Sequence, residues 1–395
     1  MKLNRSLLLL SVCQALFLTN NVTFIAINGL VGLRLAPLGW MATLPVMGYV
    51  VGGALAAGPV ARMQARWGRQ RSFQIGLVVA ALTAAGGAVA VSLGSFWGVL
   101  AATVLAGFYN ANAQLYRFAG PELVAPEHKA QAISFVMAGG VAGAFIGPNL
   151  ANATRDWLPA PFAGAYVALV GVALASLAVM SMIRFPPHAA PAPGSDRGRS
   201  VAELARQPAF VVAVAAAALA YGVMNLLMAA TPLAMQRCGL PFRDAALVIE
   251  WHVLGMFVPA FFTGHLIQRF GILRVMVAGV LLNLACVAIA LTGLELERFL
   301  AALLLLGIGW NFLFTGATTL LTTTYQPHER TRAQGAMDFC VFSTTAVTSF
   351  ASGALVTTQG WFLLNLGSLV PLSMVALALA WLARRPRVPQ AVAGP

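Results

Sequence analysis

The 395-residue sequence has little charge: Asp, Glu, Lys and Arg make up 9% of it, with 11 acidic residues against 24 basic ones. Hydrophobic residues reach 59% and the mean hydropathy is +0.82. A water-soluble chain of that composition would expose large apolar patches, so lipid is its solvent. Cysteine is scarce as well. Cys13, Cys238, Cys286 and Cys340 lie on different segments with no paired spacing, which excludes a disulfide framework. His128, His188, His265 and His328 have no ligand spacing to another His or Cys, so no metal is expected. The chain also lacks a Gly-x-Ser-x-Gly elbow, a Walker loop, a His-Glu-x-x-His motif and paired catalytic carboxylates. These absences exclude a recognisable enzyme and an ATP-driven pump, and no cofactor is expected.

What is present is a series of apolar runs, each near the roughly 20 residues that cross a bilayer. Six are read in the first half: Leu7–Leu33, Trp40–Ala61, Phe73–Leu93, Phe96–Phe118, Ala130–Leu150 and Phe162–Ile183. Six more follow: Ala209–Pro232, Ala245–Leu266, Val275–Gly293, Phe299–Thr322, Ala333–Val356 and Phe362–Leu382. The expected fold is an all-α membrane protein of twelve transmembrane helices. The first run follows Lys2 and Arg5 but is too long for a signal peptide, so the N-terminus is expected to stay uncleaved. With both termini in the cytoplasm, all but six of the 24 Lys and Arg residues fall on the cytoplasmic side. Arg34, Arg155, Arg237, Arg243 and Arg298 fall outside, and Arg117 sits within the fourth span. That bias is the positive-inside rule, so the net charge of +13 reports orientation in a bacterial inner membrane and not a nucleic-acid partner.

One long polar stretch, residues 184–207, separates a bundle at 1–183 from one at 208–383, with a cytoplasmic tail at 384–395. Ser200 and Glu203 within it have capping-box spacing, which predicts a short helix leading into the seventh span. The halves repeat each other. The loop after span two (Ala61–Arg71) superposes on the loop after span eight (Gly264–Arg274) at a constant offset of 203, carrying Arg66 onto Arg269, Trp67 onto Phe270, Gly68 onto Gly271 and Arg71 onto Arg274. An offset of 201 carries Pro126 onto Pro327 and Tyr109-Asn110 onto Trp310-Asn311. Duplication of a six-span unit explains both matches.

The six-plus-six layout, the central loop and the repeated basic loop resemble the major facilitator superfamily over essentially the whole chain. The family's loop reads Gly-x-x-x-Asp-Arg-x-Gly-x-x-Arg; here Ala65 and Gln268 stand at the Asp positions and Ala61 replaces the leading Gly of the first copy. The resemblance implies that Arg66, Gly68, Arg69, Arg71, Arg269, Gly271 and Arg274 gate the cytoplasmic interface between the halves. The missing carboxylate points to Glu122 or Asp338 as counter-charge, unless the arginines simply meet anionic headgroups. In span five Gly139, Gly143, Gly147 and Pro148 resemble the Gly-rich, Gly-Pro-ending motif of proton-coupled antiporters. Glycine at every fourth position leaves one bare stripe, suited either to a hinge against span eight or to close packing alone.

Polar residues are costly in lipid, and here they concentrate in spans one, four, seven and ten, which line the central cavity in proteins similar to this one. The candidate cavity residues are Asn21, Asn28, Tyr109, Asn110, Gln114, Arg117, Tyr221, Asn225, Trp310 and Asn311. Interhelical hydrogen bonding explains any one of them; a cavity explains the set. Arg117 either snorkels to the interface or faces the cavity, where it would favour an anion. The acidic residues well within spans are Glu250 and Asp338. Glu250, with His252 nearby, is the candidate proton-coupling group, and Asp338 is expected to pair with the basic loop at Arg62–Arg71. The function expected is alternating-access transport of a small organic solute by a monomer in the lipid bilayer, coupled to protons and directed outward. Uptake of a metabolite or vitamin by a symporter or uniporter is the alternative, and a non-transporting receptor or scaffold comes third.

Overall fold

The computed structural model describes residues 4–125, 129–185, 199–326 and 329–385. His128, His188, His328, Pro126, Pro327, most of the central loop and most of the C-terminal tail lie outside these. The helices in chain order are α1 (Arg5–Leu35), α2 (Leu44–Ser92), α3 (Phe96–Ala113), α4 (Tyr116–Ala119), α5 (Lys129–Thr154), α6 (Ala163–Ser181) and α7 (Val201–Leu204). They continue with α8 (Pro208–Arg237), α9 (Phe242–Phe257), α10 (Ala260–Phe270), α11 (Ile272–Ala290), α12 (Leu296–Thr322), α13 (Arg330–Thr358) and α14 (Gly360–Ala383). Their starts follow local chemistry. Asn4 accepts from the backbone of Ser6 and Leu7, and Ser95 from that of Gly98. Ser200 and Glu203 form the capping box their spacing predicts, which starts α7.

Twelve crossings are built from these helices in two bundles of six. The long α2 supplies two of them. Gly68 sits at φ 79° and ψ 174° inside it, and Gly271, its repeat partner, sits at φ 89° and ψ 154° between α10 and α11. Only glycine adopts such backbone without strain, so the same turn is made in both halves. Arg66 lies over the Trp67 ring at 5.9 Å and Arg269 over Phe270 at 5.4 Å, extending the repeat to side chains. It also reaches positions the loop alignment does not touch. A Cβ on Gly107 would collide with the backbone of Gly52 and Gly53, and one on Gly307 with that of His252 and Gly255. Both halves thus bring span two against span four, or eight against ten, through facing glycines.

Two spans differ from the continuous helices predicted. Span four ends its regular helix at Ala113, turns at Gln114 and Leu115, and resumes as α4, which carries Arg117. Span eight breaks between α9 and α10 with a bend of 42°. Pro259 supplies the cause, having no N–H to continue the ladder. Asn311 crosses the break: its Nδ2 donates to the Met256 carbonyl at 2.7 Å and its Oδ1 accepts from Thr263 at 2.6 Å.

The buried apolar residues form separate groups. Leu7, Leu10, Phe17, Phe73, Leu77, Tyr109 and Tyr116 make a core of the first half on the face where α1 begins and α14 ends, the terminal face. Phe210, Ala217, Met276, Leu313, Leu321 and Met337 make another for the second half on the same face. Toward the opposite face the two merge, with Phe24, Ile27 and Tyr166 of one half in the same cluster as Leu227, Leu233, Ile249 and Phe299 of the other. The halves therefore touch at the face away from the termini and separate toward the terminal face.

Candidate functional site

The space between the halves opens on the terminal face, and the break after α3 sets Arg117 beside it. Arg117 is half-buried, its guanidinium 4.8 Å from the Phe118 ring centroid, and its Nε is buried without a hydrogen-bond partner. Its electrostatic neighbours belong to the other half: Asp338 on α13 and Tyr221 on α8. No carboxylate among the described residues reaches ion-pair distance of it. Asp338 is exposed, with Arg117 as its charged neighbour, and among the described residues it forms no ion pair with the Arg62–Arg71 loop as predicted. The basic loop instead finds Glu122, which meets Arg69 at 2.8 Å within the first half.

Tyr221 links this pair of charges to an aromatic wall. Its ring meets Trp310 edge-on at 5.4 Å and Phe314 at 5.5 Å. Trp310 and Phe314, one helical turn apart on α12, stack at 5.1 Å with 9° between their planes. Trp310 is 7% exposed, and its Nε1 is a buried donor with no acceptor. Asn110 is buried too and leaves its Oδ1 unpaired. Unpaired groups of this kind are expensive unless a ligand or water meets them.

The remaining candidates go elsewhere. Asn28 accepts from the Tyr166 hydroxyl, and Asn225 donates to Thr345, Thr348 and Ser349 of α13. Asn311 bridges the span-eight break, and Tyr109 packs edge-on against Phe17 at 5.7 Å inside its own half. Asn21 and Gln114 are half-buried. The glycine stripe of α5 lies against α1, where a Cβ at Gly139, Gly143 or Gly147 would crowd the backbone oxygens of Ser11, Ala15 or Thr19, so the neighbour these glycines admit closely is span one and not span eight. Phe314 was not among the sequence candidates, although its spacing from Trp310 on one helix was the available signal.

At the opposite face the halves are joined. Asn149 at the end of the α5 motif donates to Glu250 of α9 at 2.8 Å. His252, two residues on, turns to α12, with its Nδ1 2.7 Å from the Leu303 carbonyl, so the structure does not bring it to Glu250. Gly353 N donates to Thr43 Oγ1 at 3.0 Å, and Trp40 meets Phe350 edge-on at 5.8 Å. Phe162 meets Phe242 across the seam at 5.1 Å, with the Arg155 guanidinium 5.4 and 5.7 Å from the two rings. Phe162 has φ 71°, a left-handed backbone that costs a side-chain-bearing residue about 1–2 kcal/mol. No sequence signal announces such a position.

The family model for the Major Facilitator Superfamily matches residues 7–257 and 215–394. The chain belongs to the major facilitator superfamily. This superfamily member is 40% identical over 363 residues to the riboflavin transporter RfnT of Brucella anthropi, covering 91% of each chain. It is 26% identical to the uncharacterized MFS-type transporter YdeG of Bacillus subtilis, covering 95% of this chain and 91% of the relative. Its fold matches the inward-facing, unoccupied crystal structure of a bacterial homolog of the human lysosomal transporter Spinster with a TM-score of 0.75, at 14% identity and over 98% and 100% of the two chains. The protein is an integral membrane secondary transporter of a small molecule.

Proposed function

We infer that this transporter takes up a planar, ring-bearing metabolite of the riboflavin type, with the terminal face in the cytoplasm. The observation that carries the substrate class is the aromatic wall of Tyr221, Trp310 and Phe314 with its unpaired indole N–H, which suits an aromatic heterocycle, with Arg117 of the other half to meet its oxygens. The 40% identity to a riboflavin transporter along 91% of both chains supports the same class. The cytoplasmic assignment rests on the Lys and Arg bias. Riboflavin uptake into proteoliposomes tests the proposal, and a wild-type protein that moves no riboflavin would sink it. Trp310→Ala is expected to raise KM at least about tenfold, because a lost ring contact and a buried donor both bear on the bound state.

Uptake takes precedence over export, because the α5 glycines that resemble an antiporter motif are accounted for by packing on α1. Proton coupling is assigned to Glu250 alone. Its carboxylate accepts from Asn149 across the outer seam. A proton arriving there removes the charge from the acceptor and weakens the bond, loosening the seam so that the outer side opens. Riboflavin uptake by Glu250→Gln should proceed without responding to an imposed pH gradient; an undiminished response would remove Glu250 from the coupling.

A further inference from the structure

A second cavity, of about 520 Å³, lies between the halves on the face away from the termini, separate from the chamber that opens on the terminal side. Arg34 in the last turn of α1, Arg155 beyond α5 and Gln236 on α8 line it beside Phe162 and Phe242, with leucine, proline and alanine completing the wall. No acidic residue lines it. Arg34 has no carboxylate in ion-pair range among the described residues. Arg155 approaches Asp156 at 3.5 Å, yet that carboxylate is 76% exposed and the Arg155 Nε remains buried without a hydrogen bond.

The lining is thus rich in donors, poor in acceptors, and flanked by two rings. The geometry points to this vestibule as an outer entry site for an aromatic heterocycle that carries carbonyl or anionic oxygens on its edge, occupied while the chamber is open on the opposite face. Guanidinium groups donate to such oxygens in a planar fork, and the two phenylalanines with the leucines and prolines give the heterocycle an apolar wall. Two features hold the site in shape. The Phe162 N–H donates to the Arg155 carbonyl at 2.8 Å, closing the turn that presents Phe162, and the Arg155 guanidinium rests over both rings. Because Phe162 belongs to one half and Phe242 to the other, the vestibule exists only while the outer seam is shut. Parting of the seam would release its occupant inward to the Trp310 wall.

The inference rests on the uptake reading for its choice of probe, and the test separates the two. Riboflavin and riboflavin 5′-phosphate are titrated against the purified full chain by fluorescence, in the wild type, Arg34→Gln, Arg155→Gln and Trp310→Ala. The expected result is two classes of site, one weakened about tenfold by either arginine substitution and the other by Trp310→Ala. Stronger binding of the phosphate ester at the arginine-dependent class would identify its anion as the contact, and equal binding would identify the ring edge. A single class sensitive to the arginines alone leaves the vestibule standing and removes the chamber reading. A single class indifferent to both arginines, or no binding of either probe, overturns the vestibule. Arg34→Gln, which breaks no ion pair seen here, guards against loss by misfolding; a melting temperature unchanged from wild type establishes that it folds.

Discussion

On the face away from the termini the halves meet through Trp40 with Phe350, Thr43 with Gly353, Asn149 with Glu250 and Phe162 with Phe242. On the terminal face, the ion pairs among the described residues join Arg69 to Glu122 within the first half and Arg199 of the central loop to Glu329 of the second. The outer seam is therefore built from apolar rings, the Arg155 guanidinium over Phe242 and a few neutral or singly charged hydrogen bonds, each modest alone, and among the described residues no ion pair crosses it. The terminal face uses its charges to stiffen loops inside each bundle. A rocking motion of two rigid bodies needs that division: bundles that keep their shape, and a seam of small terms that can be exchanged for another. The same comparison gives Ala65 and Gln268 a meaning. Without the usual Asp, the basic loop is tied to Glu122 of its own half and leaves Asp338 free beside Arg117.

The largest effect should come from making the outer seam permanent. In a Cys238→Ser background, Trp40→Cys with Phe350→Cys places one thiol on each side of the seam, at the two positions whose rings now meet edge-on. A short bifunctional thiol reagent should abolish uptake, and reduction of a cleavable linker should restore it. Uptake that continues at the full rate in fully cross-linked protein would mean that the seam does not open during transport. Next in size is the turn shared by the halves. Gly271→Ala meets open space, so its whole cost is the positive φ combined with an extended ψ, about 1–3 kcal/mol, read as a lower melting temperature. Gly68→Ala should cost about the same if the two turns are equivalent, and unequal losses would show that the repeat has diverged in energy while keeping its geometry.

Much of the fold was legible because its signals are local. Spans declare themselves by hydropathy, and the loop repeat by identical residue types at one offset. Arg66 to Gly68 and Arg269 to Gly271 carried the symmetry, and both glycines adopt the conformation their shared position demands. The breaks were harder. Pro259 stood in the sequence, but whether a proline kinks a helix or ends it depends on which neighbour satisfies the freed carbonyls, and Asn311 comes from 48 or more residues away. The site was legible in part for the same reason. An Asn in a span is equally suited to a cavity and to an interhelical bond, and Asn28, Asn225 and Asn311 took the second course. Tyr221 and Trp310 stayed beside the opening, and Phe314 joined them through spacing alone. Asn149 meeting Glu250 is a contact 101 residues apart that no periodicity encodes.

The smallest effects should come from the two terminal-face ion pairs, and they differ from each other for a reason visible in their burial. Glu329 is 3% exposed and accepts from the backbone N–H groups of Arg199 and Gln326 as well as from the Arg199 guanidinium at 2.7 Å. The guanidinium first, and the Gln326 N–H second, hold its carboxyl well below the ordinary value of 4.5. A depressed carboxyl stabilises the folded state fully above that ordinary value and loses its contribution as pH falls below it toward the folded value. Acid titration of the wild type should therefore show a loss of thermal stability starting below about pH 4.5, and Glu329→Gln should lack that component. An identical acid response in both would remove the pair as its source. Arg69 and Glu122 have side chains 24% and 38% exposed, so water and salt screen their 2.8 Å contact. Arg69→Ala should cost less than about 1 kcal/mol at neutral pH and less still in high salt. A larger, salt-insensitive loss would mean that this pair reaches beyond its own half, and the division between the two faces would have to be redrawn.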